Sequence, residues 1–269
     1  MNDTLRLISP ATRESWEIPV RFEDEHLLAL DKPSGLLISP DRYDFKRPNL
    51  MRLLHQDMDR DAAWVRERQL TYLANAHRLD FDTTGILLLA KSKPVLIALA
   101  DQFGAEKTQK RYLALAHGSP PDGAFATEAK LGPHPFRRGW MRVDHKQGKR
   151  TATRFLVAER FNGYCLIQCE LLTDRTHQIR VHLQHLGFPL AGDTMYGGCP
   201  LLLSQLKSLY RLKPGKEERP LMGRVALHAE SLCLIHPMRG TPLSISAPLP
   251  KDLTVALKYL RKFAGHSVT

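Results

Sequence analysis

The stretch of sequence that decides the fold reads His77-Arg78-Leu79-Asp80-Phe81-Asp82-Thr83-Thr84-Gly85 and runs into Ile86-Leu87-Leu88-Leu89-Ala90. The Asp-Thr-Thr-Gly portion is typical of a turn, because short side-chain oxygens accept hydrogen bonds from nearby N–H groups and glycine tolerates tight conformations. The apolar run after it is typical of a buried strand. We therefore expect Asp80 on a loop that enters a strand, a frequent place for a reactive group. The alternative is a structural Asp bonded to the backbone of its own turn.

A second distinctive stretch reads Leu171-Leu172-Thr173-Asp174-Arg175-Thr176-His177-Gln178-Ile179-Arg180-Val181-His182-Leu183, and Gly192-Asp193-Thr194-Met195-Tyr196-Gly197 follows it. Together the two stretches resemble the RluA-like family of RNA pseudouridine synthases, whose signatures are His-Arg-Leu-Asp with Thr-Ser-Gly, and Gly-Arg-Thr-His-Gln-Ile-Arg with Gly-Asp and Tyr-Gly. Three more blocks occur in the family's order: Asp31-Lys32-Pro33-Ser34-Gly35-Leu36, Lys110-Arg111-Tyr112-Leu113-Ala114-Leu115 and Leu227-His228-Ala229. The resemblance spans residues 20–250. It departs from the family at Thr84, where Ser is usual, and at Asp174, where Gly is usual.

The resemblance implies a reaction in which a uridine in RNA becomes pseudouridine. The bond between C1′ and N1 breaks, the uracil turns, and C5 joins C1′, so that no cofactor and no metal is needed. By analogy Asp80 is the catalytic carboxylate, Arg180 is the cation that pairs with it, and Tyr112 stacks against the target base. Asp80 either attacks covalently or removes a sugar proton, and the sequence leaves both routes open.

The same resemblance implies a set of RNA-binding residues around Asp80. Arg78 matches a position that enters the space left by the base or grips a phosphate. Its motif neighbours His77, Thr84 and Gly85 are assigned to substrate binding with it. The alternative for Arg78 is an ordinary surface ion pair.

Composition and charge agree with an RNA partner. The chain has 269 residues, 39 Lys and Arg against 28 Asp and Glu, a formal net charge of +11 and a pI near 9.6. Such a balance suits a polyanion, either nucleic acid or an acidic membrane surface. Since no run of about 18 apolar residues and no secretory signal is present, we expect no membrane association and a cytoplasmic protein. The four cysteines lack metal-site or disulfide spacing, and we expect buried reduced thiols.

The expected fold is α+β, with a mixed, largely antiparallel sheet and a few flanking helices. Residues 1–16 are expected to form an arm or edge strand, and 17–269 one catalytic domain with surface insertions at 41–71 and 199–222. Because few residues precede this point, we expect the chain to lack the small ribosomal-protein-like RNA-binding domain that often stands there in the family. We expect a monomer. Among the predicted elements are a strand over 36–39, a helix containing Leu50 and Leu54, and a helix over 176–186.

Two rival functions and one open segment complete the interpretation. A non-catalytic RNA-binding protein or RNA chaperone would keep the fold and lose turnover. A metal-dependent hydrolase would use His177, His182 and His185, but their spacing matches no common zinc site. The segment 133–140 interleaves bases with aromatics, and it is either a single-stranded RNA contact or an ordinary exposed loop.

Overall fold

The computed structural model describes residues 4–41, 44, 46–212 and 215–265. Its backbone contacts divide the chain into two compact units, one of Met1–Lys110 with Ala229–Pro248, and one of Arg111–His228 with Leu249–Thr269. The first unit is built around the strands β1 Thr4–Ile8, β2 Ser15–Glu23, β3 Leu27–Lys32, β4 Ala74–Asn75 and β5 Thr84–Ala90, with the helices α1 Leu50–Asp59, α2 Ala63–Glu67 and α3 Lys93–Gly104.

The second unit is built around the strands β6 Gln109–His117, β7 Ala124–Thr127, β8 Leu131–Pro133, β9 Met141–Val143, β10 Thr153–Phe161 and β11 Tyr164–Leu171, with the helix α4 Gln178–His185. A 3-10 turn spans Thr194–Tyr196, and α5 Leu203–Leu206 follows it. The chain then passes through β12 Leu227–Ile235 and β13 Pro242–Ser246, which complete the first unit, and ends in α6 Lys251–Phe263.

The sheet of the first unit runs in the order β1-β2-β3-β5-β12, with β4 added to β5 and β13 to β12. The pairs β1–β2, β2–β3, β3–β5, β4–β5 and β12–β13 are antiparallel. Every residue of β5 is buried, as the apolar run predicts. Its core packs Leu88 of β5 against Leu99 of α3 and Ile245 of β13. β1 lies at the edge of this sheet, and the sequence leaves an arm or an edge strand open for residues 1–16.

In the second unit the order is β6-β11-β10-β7, and β8 and β9 form a separate antiparallel hairpin. The helix α6 buries Leu253, Leu257 and Leu260 in a core with Phe161 and Leu166. The α+β class and its largely antiparallel sheet are thus confirmed. The single domain over 17–269 and the insertions at 41–71 and 199–222 stay predictions, and residues 42, 43, 45, 213 and 214 lie outside the described residues.

Two predicted elements differ from the structure. The strand predicted over 36–39 is wrong: its carbonyls at Leu37 and Ile38 accept hydrogen bonds from the N–H groups of Leu50 and Met51. They therefore satisfy free donors at the start of α1 and pair with no strand along their length. Helix α4 begins at Gln178 and not at 176, because His177 adopts φ 57°, in the left-handed region.

The thiols fit the prediction in part. All four cysteines are free; Cys165 and Cys169 are buried, Cys199 is exposed and Cys233 is intermediate. Burial raises the pKa of the Cys165 thiol to about 12. The expectation of burial is therefore wrong for Cys199, which lies in a loop. No helix in the described part of the chain is long and apolar enough to cross a membrane.

Candidate active site

Asp80 lies in a tight turn that leads directly into β5, where the sequence places it. Its carbonyl accepts a hydrogen bond from the Thr83 N–H (3.2 Å), and the Phe81 carbonyl accepts one from the Gly35 N–H (3.1 Å). The Asp80 residue is half-buried, whereas Thr83 and the β5 residues after it are buried. The turn therefore holds a carboxylate beside the surface on a rigid buried support.

A buried lysine holds the backbone of this turn. Lys32, at the end of β3, is 0% exposed, and its ammonium donates hydrogen bonds to the carbonyl oxygens of Phe81 (3.1 Å), Thr83 (3.0 Å) and Pro33 (2.7 Å). A buried charge is costly unless its donors are satisfied. These carbonyls satisfy them, and the same bonds tie the backbone of the Asp80 turn to β3.

The neighbours of Asp80 also seat the turn. The His77 Nε2 accepts a hydrogen bond from the Leu88 N–H (3.0 Å), and its ring stacks on Phe103 at 5.2 Å. Gly85 has φ 109°, and a side chain there would collide with the carbonyl oxygen of Ala229. These contacts support structural roles for His77 and Gly85. Their assignment to substrate binding, like that of the exposed Arg78 and the buried Thr84, stays a prediction.

Arg180 is held by a buried carboxylate. It is 6% exposed, and its Nε and Nη2 donate to the two carboxylate oxygens of Asp193 at 2.7 and 2.8 Å. Asp193 is 1% exposed, and the guanidinium lies 4.9 Å from the ring centroid of Tyr196. Asp193 is thus an ion-pair partner of Arg180, whereas the pairing of Arg180 with Asp80 that the resemblance implies stays a prediction. In such a bidentate pair the guanidinium has one fixed orientation.

The start of α4 is pinned to β10 by a buried polar network. The Gln178 amide donates to the Ala152 carbonyl (3.0 Å) and to the Thr153 hydroxyl (2.9 Å), and its oxygen accepts from the Thr173 hydroxyl (2.9 Å). These bonds anchor the residue that follows the left-handed His177. Such backbone conformations persist only where surrounding contacts enforce them.

His182 is part of the same support. It is 0% exposed, its Nε2 lies 3.0 Å from the Ala129 carbonyl oxygen, and its Nδ1 lies 2.9 Å from the Thr153 hydroxyl. Burial lowers the pKa of His182. Both ring nitrogens therefore take part in hydrogen bonds within the protein, whereas the hydrolase hypothesis needs this residue as a metal ligand. Among the described residues no group of three or more His, Cys, Asp or Glu is placed to hold a metal ion.

The other predicted site residues are placed as follows. Tyr112 lies on β6 and is 6% exposed. Asp174, which replaces the family's glycine, is exposed. Asp193 is an ion-pair partner of Arg180. The sequence therefore supplies candidates for the site but does not reveal the residues that support them.

Sequence reasoning missed three supporting residues, Lys32, Asp193 and Tyr196. Each lies in a block that carries the family resemblance, yet the pattern alone assigns it no task. The available signal is a polar residue within an apolar or glycine-rich run, as for Lys32 after Leu-Ala-Leu-Asp. Polar residues of this kind are buried only when paired.

The chain matches known proteins over most of its length. Residues 26–185 match the family model described as RNA pseudouridylate synthase. The Ribosomal large subunit pseudouridine synthase D of Xanthomonas campestris is 35% identical over 248 residues, covering 90% of this chain and 69% of the relative. The protein of the same name from Nitrosomonas europaea is 36% identical over 260 residues, covering 95% of this chain and 69% of that relative.

The fold also matches a solved structure. The Human RNA Pseudouridylate Synthase Domain Containing 1 superposes with a TM-score of 0.65 at 22% identity, covering 94% of this chain and 90% of that one. That likeness concerns the fold, whereas the sequence matches concern the family. The chain therefore belongs to the RNA pseudouridylate synthase family.

Proposed function

We propose that the chain isomerises a specific uridine in the RNA of the large ribosomal subunit to pseudouridine, with transfer RNA as the alternative substrate. The support for ribosomal RNA is the name of the relatives from Xanthomonas campestris and Nitrosomonas europaea, ribosomal large subunit pseudouridine synthase D. The net charge of +11 supports binding to RNA. A monomeric state and a cytoplasmic location belong to the same proposal.

Asp80 is the proposed catalytic carboxylate. The observation that carries this assignment is the architecture of its turn, in which the buried Lys32 ammonium holds the carbonyls of Phe81 and Thr83. A reacting group must be held to a fraction of an ångström for efficient chemistry. The buried Lys32 provides such a hold on the backbone of this turn.

Arg180 and Tyr112 act in the same reaction. Arg180 supplies a positive charge to balance the reacting carboxylate, because an ionised carboxylate in a site that excludes water is costly unless a cation is paired with it. Tyr112 stacks on the target base. Unstacking that base costs a few kcal/mol in a duplex, and one aromatic contact returns about 1–3 kcal/mol. Further RNA contacts must therefore hold the opened strand, and Arg78 is the candidate nearest to Asp80 in the chain.

The test uses RNA that carries tritium at uracil C5 and lacks prior modification, because formation of the new C–C bond releases that hydrogen to water. Large-subunit ribosomal RNA and transfer RNA are incubated separately with the wild-type protein. We expect release from ribosomal RNA at one mapped uridine. Tritium release from transfer RNA alone would identify transfer RNA as the substrate instead. If neither RNA releases tritium although both bind, the non-catalytic RNA-binding protein is favoured.

A further inference from the structure

The hairpin formed by β8 and β9 carries the tip 134–140 between its two strands and packs against the rest of the second unit. Leu131 packs with Val181 and Tyr196, and Trp140 and Val143 cover the same cluster. The Met141 N–H donates to the Tyr196 hydroxyl (2.9 Å). The hairpin is thus a fixed element of the second unit.

The tip itself has a defined shape. The His134 Nδ1 accepts hydrogen bonds from the N–H groups of Phe136 (3.2 Å) and Arg137 (3.1 Å), and the His134 N–H donates to the Trp140 carbonyl (2.8 Å). The Arg137 guanidinium lies 4.6 Å from the ring centroid of Trp140. The Phe136 residue is 90% exposed. An ordered backbone therefore presents an aromatic side chain and an arginine–tryptophan stack to solvent.

The surface around this tip is strongly basic. Between residues 128 and 150 the chain has seven Lys and Arg and two acidic residues. All seven cations are exposed: Lys130, Arg137, Arg138, Arg142, Lys146, Lys149 and Arg150. Of the two carboxylates, Asp144 is engaged by Arg142 (3.0 Å) and by the N–H groups of Lys146 and Gln147. The field at the tip is therefore positive, as a polyanion requires.

We propose that this hairpin tip is a binding surface for single-stranded RNA, on which Phe136 stacks with one base and the surrounding cations contact phosphates. Single-stranded RNA combines charged phosphates with exposed base faces, and aromatic residues within a basic groove match both. An acidic protein would match the cations but leave the Phe136 ring without a comparable partner. The proposal rests on the proposed function, since it places RNA that flanks the target uridine on this surface.

The hairpin is also connected to the Arg180 ion pair. The Tyr196 hydroxyl that accepts from Met141 also lies 2.7 Å from the His177 Nδ1, and the Tyr196 ring lies against the Arg180 guanidinium. RNA seated on the tip is consequently held in a fixed position relative to Arg180. The Phe136 ring and the cations of the tip therefore supply affinity, whereas the Tyr196 contact sets the position of the hairpin relative to Arg180.

The test compares Phe136→Ala and the double variant Arg137→Ala with Arg138→Ala against wild type. Binding of a fluorescein-labelled single-stranded RNA is followed by anisotropy at several salt concentrations. We expect Phe136→Ala to weaken binding by about 5- to 150-fold, the usual loss for one stacked base. The double variant lowers the slope of log affinity against log salt by about 0.7 for each phosphate contact removed.

Two controls and a second readout make the result decisive. Leu156→Ala removes an apolar side chain that is 47% exposed on β10, and Lys258→Ala removes an exposed cation on α6; both should bind RNA as wild type does. Tritium release is then measured, and Phe136→Ala should raise KM while kcat at saturating RNA persists. If RNA binding depends on the hairpin but tritium is released from no RNA, the proposed function is overturned and the proposed binding surface is kept. RNA affinity equal to that of wild type in both hairpin variants would overturn the proposed surface. So would variants that lose affinity for polyglutamate, as a stand-in for an acidic protein, but keep their affinity for RNA.

Discussion

Substitution of Lys32 by Met tests how the Asp80 turn is held. Methionine has a similar length and is apolar, so it fills the buried position while removing the ammonium. The Lys32 side chain donates to the carbonyls of Phe81, Thr83 and Pro33 at 2.7–3.1 Å. Two of these carbonyls belong to the turn that carries Asp80, and both would lose this donor in the variant.

The magnitude follows from those contacts. A hydrogen bond to a charged group contributes about 1.5–3 kcal/mol, so the two turn carbonyls together lose about 3–6 kcal/mol. The whole stability of a typical domain is about 5–15 kcal/mol. We therefore expect Lys32→Met to lower the free energy of unfolding by several kcal/mol and to loosen the turn in molecules that remain folded.

The assay measures urea unfolding and tritium release at saturating RNA, with release expressed per folded molecule. Lys91→Met is the matched control, because Lys91 lies in the same unit and binds Glu23 and the Asp24 carbonyl, each at 2.6 Å, away from the Asp80 turn. The control should lose stability and keep its turnover per folded molecule, whereas Lys32→Met should lose both. Wild-type turnover per folded molecule in Lys32→Met would refute the reasoning.

Three further predictions follow from the second unit. Asp193→Asn leaves the Arg180 charge buried without its carboxylate, and the free energy of unfolding in urea should fall by about 3–5 kcal/mol; an unchanged value would contradict the importance of the pair. Tyr196→Phe keeps the ring and removes the acceptor for the Met141 N–H. Steady-state kinetics should show a lower kcat with KM for RNA nearly unchanged, and a change in KM alone would contradict a positioning role. Burial lowers the pKa of His182 in the folded state. As the pH is lowered through about 6.5, the unfolded chain therefore binds this proton more readily than the folded chain does, and the free energy of unfolding decreases. His182→Asn should flatten this pH dependence in thermal unfolding, and a profile as steep as that of wild type would contradict the assignment.

Local patterns predicted the elements that depend on local chemistry. The apolar run after Gly85 marks β5, and the spacing of Leu50 and Leu54 marks α1, because burial of one face decides these elements. The strand predicted over 36–39 was wrong because the carbonyls of this segment accept hydrogen bonds from the first turn of α1. Sequence periodicity does not reveal a contact between two separate stretches. The hairpin of β8 and β9 was missed because strands of three residues, one of them containing glycine and proline, are too short to show a periodic pattern.

In the candidate site too, motifs identify some residues, and tertiary packing alone reveals the others. Asp80 and Arg180 could be named from the sequence, since motif blocks carry them. The Asp193 partner of Arg180 could not, because the ion pair joins residues 13 positions apart across the end of a helix. The Lys32 contact with Thr83 spans 51 positions. Tertiary packing alone brings such pairs together, and that is why the supports of the site appear only in the structure.

The central claim is that the Asp80 carboxylate performs the chemistry, and the most direct measurement compares Asp80→Asn with Asp82→Asn under single-turnover conditions. Both variants remove one negative charge from the same turn, and Asp82 is the control because its carboxylate accepts from the Ser34 hydroxyl (3.3 Å) within the turn's own support. RNA affinity is measured in parallel. The account predicts no tritium release by Asp80→Asn with affinity nearly intact, and continued release by Asp82→Asn. Measurable release by Asp80→Asn would contradict it.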